Sequence, residues 1–399
     1  MSPASVLEKM TMMEGSKAFA DAVKVCRPHV ISAYPITPQT HIVEELSKIV
    51  ANGELDTEYV RVESEHSAAS VCLGASATGV RTFTATTSQG LLLMIEVLYN
   101  IAGMRLPIVL MCANRSVSAP LNIWNDHQDS ISVRDAGWIQ LYAEDIQEGI
   151  DMIPQAYLIA EHPEVRLPVM IGVDGFILTH TSEPVELLDQ AMTDKFLPPY
   201  KPEIYLDVKK PMTLGAFADP DSYMEIRYSL HKAVEDSKKV IKEVAREFGK
   251  TFGRFGGDLI ETYNIEGAET VVVAMGSIVS TLKELSDEMK SQGRKMGVVK
   301  VRCHRPFPDQ EIYDALKDAQ NVIVLEKAVS LGQGGILGTE IRSLFMEMED
   351  PPRFSNFIIG LGGRDVPMNF LEMLVLEAEE SPVPFKFVGL KEELLGGEK

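Results

Sequence analysis

Cysteine is scarce in this chain. The four thiols, Cys26, Cys72, Cys112 and Cys303, lie far apart, with no C-x-x-C pair and no histidine at metal-ligand spacing. Structural zinc and iron–sulfur clusters need such spacing, so the chain by itself offers neither a site. Buried thiols in a reducing cytosol are the expectation. Long apolar runs are also missing, and none approaches the roughly 20 residues of a membrane-spanning helix. Residues 1–15 lack a basic start followed by an apolar core, so no export signal is expected. Positive charge is short: 38 Lys and Arg stand against 58 Asp and Glu, a formal net charge of −20. Nucleic acids and anionic membranes need a basic surface, which excludes both as partners. The same balance makes the chain a poor dock for an acidic electron carrier. Neither G-x-G-x-x-G nor G-x-x-x-x-G-K-[ST] occurs, so no nucleotide fingerprint is present.

What is present is the alternation of an α/β protein long enough for two or three domains. Gly15–Val25 and Thr40–Val50 read as helices, and Val30–Tyr34 reads as a strand. Tyr59–Val62 is a short alternating strand. Ser67–Gly79 follows with Ala68, Ala69, Ala75 and Ala77 at helical spacing, small enough to lie close against a neighbouring backbone. Thr82–Thr86 is a second strand, then Leu91–Ile101 a helix, and Leu106–Cys112 a continuous apolar run suited to a strand buried on both faces. With the helix Ile146–Glu161 and the strand Pro168–Val173, a first parallel-sheet domain of five or six strands is expected over 1–181.

Residues 182–268 differ in character. Pro184, Pro198, Pro199, Pro202, Pro211 and Pro220 mark an extended connector. A long helix follows over Asp221–Gly249, with Gly249 as its expected stop. From 269 to 399 the order strand, glycine turn, helix recurs, at Thr270–Met275, Lys295–Val301 and Asn321–Leu325, so a second parallel layer is expected. Its glycine turns are read as tight turns, with phosphate binding at a helix N-terminus as the alternative.

Three residues fall where strands of the first sheet end, at the edge where such sheets bind ligands. Thr37 sits between Pro35-Ile36 and Pro38, which restrict the backbone around its hydroxyl. Glu65 stands where strand meets helix, as a functional carboxylate or as a helix-dipole partner or cap. Arg115 follows the apolar strand, as a surface ion-pair partner or a third member of the site. The cluster Asn125-Asp126-His127-Gln128-Asp129 has two readings, a cation site or a cap for the next helix.

Several stretches carry a resemblance that goes further: YPITPQT at 34–40, ESEHSA at 63–68, TATTSQG at 84–90, Asn114-Arg115, IWNDHQD at 123–129, DGFILTH at 174–180 and VKVRCHRPF at 299–307. Over about 15–363 the chain resembles the alpha subunit of pyruvate:ferredoxin oxidoreductases, within the 2-oxoacid:ferredoxin oxidoreductase family. The resemblance implies a pyrimidine-binding-type thiamine diphosphate domain and a transketolase C-terminal-like domain. A relative acting on oxalate carries Arg in place of Thr37, so Thr37 argues against that substrate. The chain has no GDG with a following Asn-Asn, the usual diphosphate–magnesium motif, so no metal ligands are expected here.

The resemblance also implies roles. Glu65 matches the carboxylate that bonds thiamine N1′, Arg115 the arginine that pairs with the substrate carboxylate, and Thr37 the threonine that hydrogen-bonds pyruvate. Pro35, Ser88 and Gln89 join Glu65 as cofactor contacts. Thiamine diphosphate is then shared with a beta subunit holding the magnesium, and [4Fe-4S] clusters sit on partner subunits. Gamma and ferredoxin-like delta subunits complete a cytoplasmic assembly, with coenzyme A as acyl acceptor and ferredoxin as electron acceptor. Two rivals remain: a subunit acting on 2-oxoglutarate or branched 2-oxoacids, and a non-catalytic assembly subunit on the same fold.

Overall fold

The computed structural model describes residues 10–395, so the first nine residues of the stretch read for an export signal lie outside it. The chain opens with β1 (Thr11–Glu14), α1 (Gly15–Val25), β2 (Val30–Ala33), α2 (Thr40–Ala51), β3 (Glu58–Arg61), α3 (Glu65–Ala77) and β4 (Thr82–Thr86). It continues with α4 (Ser88–Leu93), α5 (Ile95–Gly103), β5 (Val109–Asn114), α6 (Gln128–Ser132), β6 (Ile139–Tyr142), α7 (Ile146–Glu161) and β7 (Val169–Asp174).

Six of these strands form a parallel sheet in the order β6-β7-β5-β4-β2-β3. Its strands read as apolar runs because both faces are covered. Val109, Met111 and Ala113 of β5 join one core with Phe19, Ile146 and Ile150, whereas Leu110 and Cys112 join a second with Ala68, Leu98 and Trp138. That is the period-2 alternation of a strand with helices on either side.

The connector is less irregular than its prolines imply. It holds β8 (Ser182–Val185), which pairs antiparallel with β1, and α8 (Gln190–Phe196). The single helix expected over Leu91–Ile101 is two, divided at Met94. The expected strand Leu106–Cys112 is observed as Val109–Asn114, starting three residues later, since Pro107 has no N–H for the ladder. α9 (Tyr223–Phe252) runs past Gly249 and stops at Gly253, whose φ of +75° is the left-handed cap and whose N–H donates to the Gly249 carbonyl.

The second sheet uses β9 (Ile260–Tyr263), β10 (Thr270–Ala274), β11 (Met296–Val301), β13 (Asn321–Glu326), β14 (Arg353–Ile358) and β15 (Lys386–Phe387), with β12 (Cys303–Arg305) between β11 and β13 in the chain. Its order is β15-β14-β13-β10-β11-β9, parallel except for β9. α10 (Ile278–Ser291) and α13 (Met368–Glu380) cover one face; α11 (Asp309–Leu316) and α12 (Ile336–Ser343) cover the other.

Two strands cross the boundaries expected from sequence. β9 belongs to the second sheet although it precedes residue 269. β12, inside the segment assigned to the second layer, pairs antiparallel with β6 and becomes the edge of the first sheet. No helix among the described residues is long and apolar enough to cross a membrane.

Candidate active site

In the first sheet, β2 lies between β3 and β4, so the chain leaves it first to one side and then to the other. The crevice at that switch point, beyond the carboxyl ends of the strands, is where such sheets bind ligands. Thr37 follows β2, Glu65 follows β3, Ser88 and Gln89 follow β4, and Arg115 follows β5. Parallel strands thus gather residues far apart in sequence.

Glu65 is the first residue of α3, and Ser64 is the cap: its hydroxyl accepts from the Ser67 N–H. The capping reading of Glu65 is therefore unnecessary, although a carboxylate in the first turn still suits the helix dipole. The side chain is buried, 6% exposed, and points at Gly90. A Cβ at Gly90 would stand 2.7 Å from Glu65 Oε1 and 2.6 Å from Thr86 Oγ1. Glycine there makes the space that the carboxylate occupies.

Arg115 is 5% exposed. Its Nη1 donates to the Thr37 carbonyl at 2.7 Å and its Nη2 to Gln89 Oε1 at 3.0 Å. Burial lowers its pKa, and the Asp129 and Glu65 carboxylates pull it back up. Two donors at this edge, Arg115 Nε and Gln89 Nε2, are buried and have no hydrogen-bond partner among the described residues, and Thr86 Oγ1 is likewise unpartnered. Buried donors left this way are uncommon in folded proteins, and they fit a site shaped to receive an acceptor-rich ligand.

Thr37 and Pro35 are exposed on the loop after β2. That loop is pinned by Gln39, whose Oε1 accepts the Ile36 N–H and whose Nε2 donates to the Ala85 carbonyl. It is the Thr37 carbonyl that Arg115 meets. Ser88 is buried in the left-handed region, φ +48°, and its hydroxyl donates to the Ser116 carbonyl. A side chain held there is strained, and such residues gather at functional sites.

The cluster 125–129 turns out to be a buried network. Asp129 accepts the N–H groups of Ser88, Arg115 and Ser130 and the amide of Asn114. His127 Nε2 lies 2.6 Å from Asp174 Oδ1, and Lys327 Nζ donates to Asp174 Oδ2 at 2.7 Å. Burial opposes ionisation of Asp174, yet Lys327 and His127 outweigh it and hold the carboxyl well below the ordinary range. Burial pushes Asp126 up to about 6. No group of three or more His, Cys, Asp or Glu that could hold a metal occurs among the described residues. Sequence reasoning singled out this cluster without its role, and passed over Gly90, Asp174 and Lys327. Asp174 and Lys327 stand at strand ends, and Gly90 and Asp174 lie within the stretches 84–90 and 174–180, but nothing local pairs them with their partners.

Ser277 also reaches Asp174, through its N–H and hydroxyl. The carboxyl ends of β10 and β13 therefore meet the carboxyl end of β7 and the loop at 122–127. A split-gene transketolase, in an inactive β4 tetramer, shares the fold with a TM-score of 0.53 at 12% identity, covering 92% of this chain and 98% of its own. A 2-oxoglutarate:ferredoxin oxidoreductase from Magnetococcus marinus, with 2-oxoglutarate, coenzyme A and succinyl-CoA bound, aligns at a TM-score of 0.70 and 18% identity over 93% of this chain. The chain spans 65% of that protein's chain.

The chain belongs to the pyruvate flavodoxin/ferredoxin oxidoreductase family. The thiamine diphosphate-binding model of that family matches residues 21–246, and pyruvate:ferredoxin oxidoreductase core domain II matches 268–370. Pyruvate synthase subunit PorA of Methanosarcina barkeri is 51% identical over 97% of this chain and 98% of its own. PorA of Methanocaldococcus jannaschii is 50% identical over 96% of this chain and 99% of its own. Ketoisovalerate oxidoreductase subunit VorA of Pyrococcus horikoshii is 47% identical over 89% and 90%.

Proposed function

We propose that this chain is the subunit of a pyruvate:ferredoxin oxidoreductase that supplies the proton-transfer carboxylate and the substrate arginine. One observation carries the reading: buried Glu65 shares a sheet edge with Arg115 and the unpartnered donors Arg115 Nε and Gln89 Nε2. It does so in a chain about half identical to pyruvate synthase subunits. The assembled enzyme interconverts pyruvate, coenzyme A and oxidised ferredoxin with acetyl-CoA, CO2 and reduced ferredoxin.

Thiamine diphosphate, when bound, supplies the carbon nucleophile and the electron sink that decarboxylation of a 2-oxoacid requires. Glu65 holds and returns a proton at the pyrimidine N1′, and its burial keeps water from competing for that exchange. Arg115 pairs its planar fork with the pyruvate carboxylate, a geometry that a lysine does not reproduce. The Thr37 hydroxyl donates a hydrogen bond to pyruvate. Pro35, Ser88 and Gln89 line the cofactor, with Gln89 Nε2 as a donor awaiting an acceptor. The diphosphate and its magnesium belong to a beta subunit, and the [4Fe-4S] clusters to beta and delta subunits, with a gamma subunit completing the assembly. Four buried free cysteines suit work in a reducing cytosol.

Glu65→Gln tests the central role. Glutamine is near-isosteric and Ser64 already caps α3, so the thermal midpoint should hold. Proton-transfer assistance is worth about 10²–10⁴ in rate, and hydrogen–deuterium exchange at thiamine C2 in the assembled enzyme should slow by that order. Wild-type exchange with a lowered midpoint would reduce Glu65 to a structural residue. The VorA relative keeps a second substrate in view, a branched 2-oxoacid. Competition between pyruvate and 3-methyl-2-oxobutanoate in the assembled enzyme separates the two.

A further inference from the structure

Asp129 is fully buried, and every acceptor position on it is used. Oδ2 takes the N–H groups of Ser88 at 2.9 Å and Arg115 at 3.0 Å. Oδ1 takes the Asn114 amide at 2.9 Å and the Ser130 N–H at 2.7 Å. Ser88 opens α4 and precedes Gln89; Arg115 follows β5. One carboxylate thus ties together the two backbone segments whose side chains, Gln89 and Arg115, bond each other at the site. Only a carboxylate offers acceptors on both sides, since an asparagine would turn N–H groups toward one pair of donors.

The loop that carries Asp129 is itself held from the second sheet. Lys327, buried just beyond β13, donates from Nζ to Asn125 Oδ1 at 3.0 Å and to Asp174 Oδ2 at 2.7 Å. Its carbonyl accepts the His127 N–H at 2.9 Å, and Asp174 in turn holds the His127 ring. Three bonds fix the loop two to four residues before Asp129. A helix cap accounts for part of the cluster, since Asp126 Oδ1 accepts the Gln128 N–H and Asp129 Oδ1 the Ser130 N–H in the first turn of α6, but not for the bonds to Ser88, Arg115 and Lys327.

We propose that Asp129 is a positioning residue for the site, orienting Arg115 and the Ser88-Gln89 turn, and that Lys327 anchors it from the second sheet. This rests on Arg115 being the partner of the substrate carboxylate. Side-chain direction depends on backbone placement, so losing half of the Asp129 bonds lets Arg115 and Gln89 drift apart before any large loss of packing.

The assembled enzyme provides the test, read by calorimetric binding of oxamate, a non-reacting analogue of pyruvate, and by KM and kcat for pyruvate. Asp129→Asn should weaken oxamate binding and raise KM by about tenfold or more, with a smaller change in kcat. In the Arg115→Lys background the same change should add little, because the two act through one contact. Wild-type oxamate affinity in Asp129→Asn, or full additivity with Arg115→Lys, overturns the proposal. Wild-type affinity in Arg115→Lys itself overturns the role of Arg115 instead. Should Asp129→Asn fail to assemble, Lys327→Met and Lys327→Arg decide: Met should weaken oxamate binding and Arg should restore most of it. Equal behaviour of that pair overturns the proposal.

Discussion

Gly90 lies against Glu65 so closely that a methyl group there meets Oε1 at 2.7 Å and Thr86 Oγ1 at 2.6 Å. Thr86 Oγ1 sits on a short β-branched side chain and Glu65 Cγ, also at 2.7 Å, on the stem of a buried one, so Glu65 or α4 has to shift. Gly90→Ala should cost about 1–3 kcal/mol by overpacking. It should also lower turnover of the assembled enzyme by more than tenfold through displacement of the carboxylate. Gly74 is the internal control. It is exposed within α3, and a methyl group added there would have nothing within 4 Å. Gly74→Ala should raise stability by about 1 kcal/mol through helix propensity. Thermal midpoints and turnover of both variants check the pair; unchanged turnover in Gly90→Ala would mean that Glu65 has room to spare.

At the scale of elements, β12 is held to the second layer through one carboxylate. Glu340 of α12 bonds His304 at 3.1 Å and Arg305 at 2.5 Å, and so holds the edge of the first sheet to a helix of the second. Burial pushes the Glu340 carboxyl up, but hydrogen bonds from His304 and Arg305 outweigh it and hold it down to about 2. Burial lowers the pKa of His304 too, so Arg305 supplies the charge at neutral pH. A depressed carboxylate stabilises the fold above its unfolded value, 4.5, and loses that contribution as pH falls toward 2. The contribution is at most about 3 kcal/mol. The midpoint difference between wild type and Glu340→Gln should be constant from pH 7 to pH 5, then shrink steadily below 4.5. A difference independent of pH would show that Glu340 contributes only neutral hydrogen bonding.

Across the whole molecule, a second ionic node joins the two sheets away from the site. Lys300 of β11 is 2% exposed and meets Glu144 at 3.1 Å, Glu148 at 3.2 Å and Glu261 at 2.6 Å. Glu148 lies in the first turn of α7 and Glu144 two residues before that helix, so the node spans both layers. Lys300→Met removes the central cation and leaves Lys283 on Glu144 and Glu261 and Arg302 on Glu148, so the expected cost is about 3 kcal/mol, the lower end for breaking a buried ion pair. Calorimetry should show two separated transitions in place of one, whereas a single transition at an unchanged midpoint would count against this coupling. A second expectation belongs to the same scale. The chain holds no diphosphate–magnesium motif, so expressed alone it should fold yet bind thiamine diphosphate weakly and show no turnover. Tight calorimetric binding by the isolated chain would remove the need for a partner at the site.

Much of this was legible in the chain. α7 starts and ends where its periodicity does, because Asp145 caps it by accepting the Glu148 N–H, a bond over three residues. β4 is likewise as read, Thr82–Thr86, and α1 runs from Gly15 to Val25. Such features rest on neighbours in sequence, which a period or a cap reveals. The sheet edge that collects Thr37, Glu65 and Arg115 follows from parallel strands alone. Tertiary structure decided the rest: that β12 crosses to the other sheet, that Gly90 makes room for Glu65, and that Asp129 binds Ser88 and Arg115. It also decided that Lys327 reaches Asp174 across 153 positions. Partners so distant leave no local period, since their pairing is set by how two separately patterned layers dock and not by either pattern.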